Sequence, residues 1–155
     1  MSLKKPLRID YDYQVETEPI TLSEAKSWMQ IDFNDWDTLI EDELIPAARI
    51  ASEKVSGMLY VERDVTISNN KKDERIYPIG PWVEDVTTDE TEIENYVYTA
   101  GFNEDNPLPQ DLRLAMLKRI ATDFAVRQNL ISVQEQVAQN ASITAETRYR
   151  ADYFV

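Results

Sequence analysis

The only side chains present in the numbers and spacing that chemistry would need are carboxylates. The chain carries 29 Asp and Glu against 16 Lys and Arg, with neither Cys nor His. Without Cys there is no disulfide, thiolate ligand or thiol nucleophile. Without His the commonest general base and metal ligand are gone. What remains is a hard-cation site or a carboxylate acid–base pair. The densest stretch is Asp32-Phe33-Asn34-Asp35-Trp36-Asp37 with Glu43 beyond it. Asp32, Asn34 and Glu43 fall at the first, third and twelfth positions of a calcium loop, but the fifth is Trp36 and the sixth is Asp37, where the turn requires Gly. The six acids of residues 32–43, with no base among them, therefore read as a solvated helix start. A second run, residues 84–105, holds eight acids and no base. Neither run singles out a pair with supporting groups. Three glycines cannot build the usual nucleotide cradle, and no nucleophile elbow is present. The reading is a protein that is not an enzyme and needs no metal or cofactor.

The same carboxylates set the long-range field. A formal charge of −13 opposes contact with phosphates, so the surface is expected to repel nucleic acid and not to bind DNA specifically. No apolar run approaches the ~20 residues of a membrane span, so no membrane association is expected. Lys4 and Lys5 lead into an alternating stretch rather than an apolar block, so no signal peptide is expected and the chain is assigned to the cytoplasm where it is made.

The elements that hold these acids centre on residues 21–59. Thr21-Leu22-Ser23-Glu24 fits a capping box with Glu24 reaching back, opening a helix to about Gln30. A second start at Asn34 or Asp35 leads into a long helix whose apolar stripe is Trp36, Ile40, Leu44, Ala47, Ala51, Val55 and Met58. Pro46 inside it predicts a kink over residues 42–46. Before these, Leu7, Ile9, Tyr11, Tyr13 and Val15 alternate with polar residues, a strand over 7–16 that either closes the chain's own sheet or pairs with a neighbour. After them come a short strand at 61–67, a proline-set extended segment at 76–83 with Ile79 and Trp82 turned to the core, and a strand at 93–99 with Tyr96 and Tyr98 on one face. Pro107 and Pro109 open a last helix to Asn129, with Leu112, Met116, Ile120 and Phe124 as its apolar row and Arg113, Lys118, Arg119 and Arg127 on its remaining surface. Ser132-Val133-Gln134-Glu135 is a further capping box, and an aromatic tail ends the chain.

Several of these segments, in this order, resemble the head–tail connector (adaptor, head-completion) proteins of tailed bacteriophages and prophages. They are Glu18-Pro19-Ile20-Thr21-Leu22-Ser23-Glu24-Ala25-Lys26; Asp37-Thr38-Leu39-Ile40; Ala47-Ala48-Arg49 with Glu53 and Gly57; residues 76–83; Tyr98-Thr99-Ala100-Gly101-Phe102; and residues 107–129. The likeness covers about 19–129. It departs at Gln30, Pro46 and the polar insertion at 68–75. The resemblance implies a small structural virion protein that forms a homo-oligomeric ring under the portal protein, closes the DNA-filled head and receives the tail-completion protein. Its place would be the head–tail junction of the virion, after assembly from the host bacterial cytoplasm. Asp32, Asp35, Asp37, Glu84, Asp85, Asp89, Glu90 and Glu92 are then candidates to line the ring's lumen. Arg148, Tyr149, Arg150, Tyr153 and Phe154 are candidates for a tail that meets the next subunit. The alternative is an acidic DNA mimic that inhibits a nucleic-acid-binding protein.

The expected fold is mainly α: a small helical bundle with a long kinked central helix and a few short antiparallel strands. Residues 1–129 are expected to form one domain, with its helical core at 21–60 and 107–129, and residues 130–155 a C-terminal extension.

Overall fold

The computed structural model describes residues 5–127. In chain order the elements are β1 (Arg8–Tyr11), α1 (Leu22–Met29), α2 (Asp37–Leu39), a π-helical turn (Ile40–Leu44), α3 (Ile45–Ser56), β2 (Arg63–Ser68), β3 (Trp82–Asp85), β4 (Tyr96–Ala100) and α4 (Gln110–Arg127). The strands form one antiparallel sheet in the order β1-β2-β4-β3. The fold is therefore α+β, which corrects the expectation of a mainly helical bundle. The sheet is no appendage, because it has a core of its own. Val65 and Ile67 on β2 and Tyr96, Tyr98 and Ala100 on β4 bury one face together with Leu59, and Ile9, Tyr11, Tyr77 and Ile79 pack against them. A separate cluster of Ile20, Ala25, Ile40, Leu44, Ile45, Ala48, Leu112, Met116, Leu117 and Ile120 holds the helices together.

The extended segment before β3 covers the sheet's apolar face, and its backbone is satisfied by tyrosines. The Tyr96 hydroxyl accepts from the Ile76 N–H (2.7 Å) and donates to the Ile76 carbonyl (2.6 Å). Tyr98 does the same at Ile79, at 3.0 and 2.9 Å. A strand partner is thus replaced by two phenols, which is how a proline-set segment without a ladder lies on a buried face. Ile79 packs as expected, whereas Trp82 remains 49% exposed.

The helical run also differs from its sequence pattern. The long kinked helix is instead three successive segments, with the π-helical turn lying just before Pro46. Pro46 has no N–H for the carbonyl one turn back and its ring would crowd that carbonyl; the wider π turn relieves both. That turn also rotates the rest of the run. Beyond Leu44 the buried positions are Ile45, Ala48, Arg49, Ser52, Glu53 and Ser56, while Ala47 is exposed and Ala51 and Val55 only half-buried. The stripe expected through Ala47, Ala51 and Val55 is therefore displaced, and a polar face goes inside. The expected side-chain cap at Asn34 or Asp35 is absent too, since the residue preceding α2 is Trp36, without a capping side-chain bond. At α1, Thr21 Oγ1 does accept from the Glu24 N–H (3.2 Å), and Gln30 closes the helix in the left-handed region. Glu24 does not reach back. Its carboxylate takes two bonds from Arg113 on α4 (2.8 and 2.5 Å), tying first helix to last.

All three glycines lie where the two layers join. Gly57, at φ 71°, caps α3 and accepts from the Gly80 N–H (3.2 Å). Gly80 in turn accepts from the Leu59 N–H (2.7 Å), and the Gly101 N–H donates to Pro81 (2.9 Å). Gly101 stands at φ +134°, and a Cβ there would lie 2.5–2.7 Å from the backbone of Val61 and Glu62. Only Gly allows that approach.

Candidate assembly surface

The polar face that the π turn rotates inward is the most tightly organised polar site among the described residues. Arg49, 1% exposed, donates to Glu18 from Nε (2.7 Å) and Nη2 (3.1 Å), to the Tyr13 carbonyl (2.7 Å) and to Glu53 Oε2 (3.1 Å). The other Glu53 oxygen accepts from the Tyr60 N–H (2.9 Å) and from Arg63 Nη2. Arg63 further donates to the Asp12 carbonyl (2.8 Å) and lies over the Tyr11 ring, 5.7 Å from its centroid. Two acids and two bases alternate, so the buried charges cancel. Burial pushes the Glu53 carboxyl up, against the opposing charges of Arg63 and Arg49 and the Tyr60 amide bond. Burial would lower Arg49, but its bonds to Glu18 and the charge of Glu53 outweigh this and raise it. A shifted buried acid can mark a catalytic site. Here Glu53 is buried and its carboxylate accepts three hydrogen bonds from within the chain, which accounts for the burial of the charge. What the cluster does is mechanical: it clamps residues 12–18 onto α3 and β2. It also explains why the alternation expected to run to Val15 ends as a strand at Tyr11. The Asp12 and Tyr13 carbonyls are taken by Arg63 and Arg49, and the Asp12 side chain turns the chain by accepting from the Gln14 N–H (2.9 Å).

Beside this clamp lies an open cleft of about 450 Å³ between residues 12–17 and 61–64, with Asp12, Glu16, Glu62 and Asp64 at its surface. Among the described residues no three acids are grouped so as to hold a metal ion, and no helix is long and apolar enough to cross a membrane.

The eight acids proposed for a lumen divide between the layers. Asp32 and Asp35 are exposed in the turn after α1. Asp37 is not free, since Lys26 Nζ pairs with it at 2.7 Å and also reaches Asn34 (2.8 Å). The second run belongs to the outer strand β3 and the loop beyond. There Arg75 is the hub, donating to the carbonyls of Thr87 (2.9 Å), Asp89 (2.5 Å) and Glu92 (3.1 Å), with its guanidinium over the Tyr96 ring. Asp85 faces inward, accepting from Tyr77 (3.0 Å) and pairing with Arg75 (3.3 Å). Asp89 folds onto Thr91, whose hydroxyl and amide hold its carboxyl below the usual range. Glu84, Glu90 and Glu92 are exposed. Of the bases expected on the surface of the last helix, Arg113 is spent on Glu24 and Arg119 is buried, while Arg127 meets Glu43 at 3.2 Å. Arg148, Tyr149, Arg150, Tyr153 and Phe154, with the second capping box, lie outside the described residues.

In the sequence Glu18, Arg49 and Glu53 stand out only as parts of the resemblance, and Arg63 and Arg75 only as ordinary strand and loop residues. The one available signal was a pair of opposite charges four apart on a helix, Arg49 and Glu53, which is usually a surface feature. No family model, curated protein or solved structure matches the chain.

Proposed function

We propose that this chain is a ring-forming head–tail connector: a structural virion protein that docks under the portal, closes the DNA-filled head and gives the tail a platform. The observation that carries the reading is where the motif residues stand. Glu18, Arg49, Glu53, Gly57 and Gly101, all within the segments that resemble that family, hold the helical layer to the sheet and clamp the N-terminal arm. They are joints, and a part that transmits load around a ring needs joints rather than reactive groups. The exposed Asp32, Asp35, Glu84, Glu90 and Glu92 suit a wall past which DNA slides, because like charge prevents adhesion. The DNA-mimic reading is the weaker one, since Asp37 and Asp85 are turned to Lys26 and Arg75 within the chain rather than outward to a partner.

Light scattering at rising concentration, alone and with purified portal, tests this. A large closed species in either condition is expected. A strict monomer that also ignores the portal overturns the connector.

A further inference from the structure

The two outer strands of the sheet are β1 and β3, and among the described residues neither has a strand on its outer side. Every neighbouring pair is antiparallel, so in a sheet of four strands the two edges run in opposite directions. A ring rotation moves a subunit sideways without inverting it, and so would set β1 of one copy antiparallel to β3 of the next. We propose that copies of this chain join head to tail by this edge pairing, extending one antiparallel sheet from subunit to subunit. The proposal rests on the ring reading above and specifies its contact.

Two features of the edges favour a second copy over any other partner. The first is face. Ile9 and Tyr11 point to the apolar side of the sheet, which leaves Arg8 and Asp10 on the other. On β3 the irregularity between Trp82 and Glu84 turns Asp85 to the apolar side, where Tyr77 binds it, and aligns Glu84 with Thr99 on the opposite side. Edge pairing that keeps each face continuous therefore brings Arg8 and Glu84 to the same surface. The second is direction. In an antiparallel pair the start of β1, with Lys5 and Arg8, meets the end of β3, with Glu84 and the acidic loop behind it. The basic end of one edge thus meets the acidic end of the other, and opposite charges across strands favour this register. Arg8 is 71% exposed in its side chain, and its present partner is Asp10 of its own strand (2.6 Å), a surface pair easily shared with a carboxylate on a neighbour.

The chain's lack of Cys permits a direct test. Within one sheet positions 8 and 84 are three strand spacings of ~4.8 Å apart, roughly 14 Å across the strands, and a further four residues apart along them, since Arg8 pairs with Ser68 and Glu84 with Thr99 opposite Asp64, whereas a disulfide needs Cα atoms within about 7 Å. A chain carrying both Arg8→Cys and Glu84→Cys cannot close on itself, so any bond between these positions is intermolecular. Mild oxidation of the double variant should give a ladder of covalent multimers on a non-reducing gel. A mixture of the two single variants should stop at the dimer. No ladder from the double variant overturns the pairing, whatever the molar mass in solution. Dimers in similar yield from one single variant alone indicate a symmetric contact and overturn it too. As a second measurement, Arg8→Glu and Glu84→Arg should each weaken self-association about tenfold, and together restore it to within about threefold, like charges across strands being unfavourable. Failure of the combined variant to recover counts against the pairing. The two readings fail separately: rings without the ladder remove the edge contact and leave the connector, whereas a ladder of open chains that form no closed species, with or without portal, does the reverse.

Discussion

Replacing Arg49 by Met removes the centre of the buried cluster while keeping most of its stem volume. Four hydrogen bonds go: two to Glu18, one to the Tyr13 carbonyl and one to Glu53. Taking one partner from a buried ion pair costs about 3–5 kcal/mol, chiefly because a charge is left unpaired in a low-dielectric site. Two facts place this case near the lower end. Glu53 keeps Arg63 and the Tyr60 amide, and the Glu18 side chain is 21% exposed and can turn to water. We expect a loss of about 3 kcal/mol, which for a chain of this length lowers Tm by roughly 10 °C. Urea unfolding followed by tryptophan fluorescence measures it, with an unchanged m-value required for the comparison. Arg49→Lys keeps the charge but not the fork that reaches Glu18, Glu53 and Tyr13 together, and should lose about half as much. Amide exchange should speed up in residues 12–18, because that segment is what the guanidinium holds. A Tm shift under about 2 °C for Arg49→Met, with exchange in 12–18 unchanged, would refute the clamp.

Gly101→Ala forces a Cβ into the Val61–Glu62 backbone at a φ that L residues rarely adopt, and should cost roughly 2–5 kcal/mol in a thermal melt. The Ser52 hydroxyl is fully buried with no hydrogen-bond partner among the described residues, so Ser52→Ala should raise stability by about 1 kcal/mol; a loss of that size would mean the hydroxyl is satisfied. Burial lifts the Asp123 carboxyl above its ordinary 3.8, with Arg119 and Arg127 offsetting part of the effect. The folded form then holds its proton more tightly than the unfolded one, so the native Asp loses stability as pH rises from 3.8 through the folded value. Asp123→Asn should accordingly gain on the native protein as pH rises, and a gap in melting temperature that is flat between about pH 4 and pH 8 would contradict this.

Elements whose periodicity is local could be read directly from the order of residues. The row Leu112, Met116, Ile120 and Phe124 packs as its four-step spacing required, with Phe124 edge-on to Trp36. The shared face of Tyr96 and Tyr98 and the end of α1 near Gln30 were legible in the same way, because each follows from spacing within one element; the need for Gly at 101 was not, since it comes from the backbone of Val61 and Glu62. What the sequence could not weigh was the sheet. β3 is four residues with two adjacent acids, Trp82-Val83-Glu84-Asp85, and has no alternation of its own; pairing with β4 makes it a strand. The π turn, the second such case, rotates α3 by an amount that no stripe of apolar residues reveals, and so decides that Arg49 and Glu53 go inside while Ala47 faces out. A charged pair four apart looks the same in water and in a core. Only the arrival of Glu18 and Arg63 from segments 31 and 10 residues away makes its burial affordable, and that is settled by tertiary packing alone.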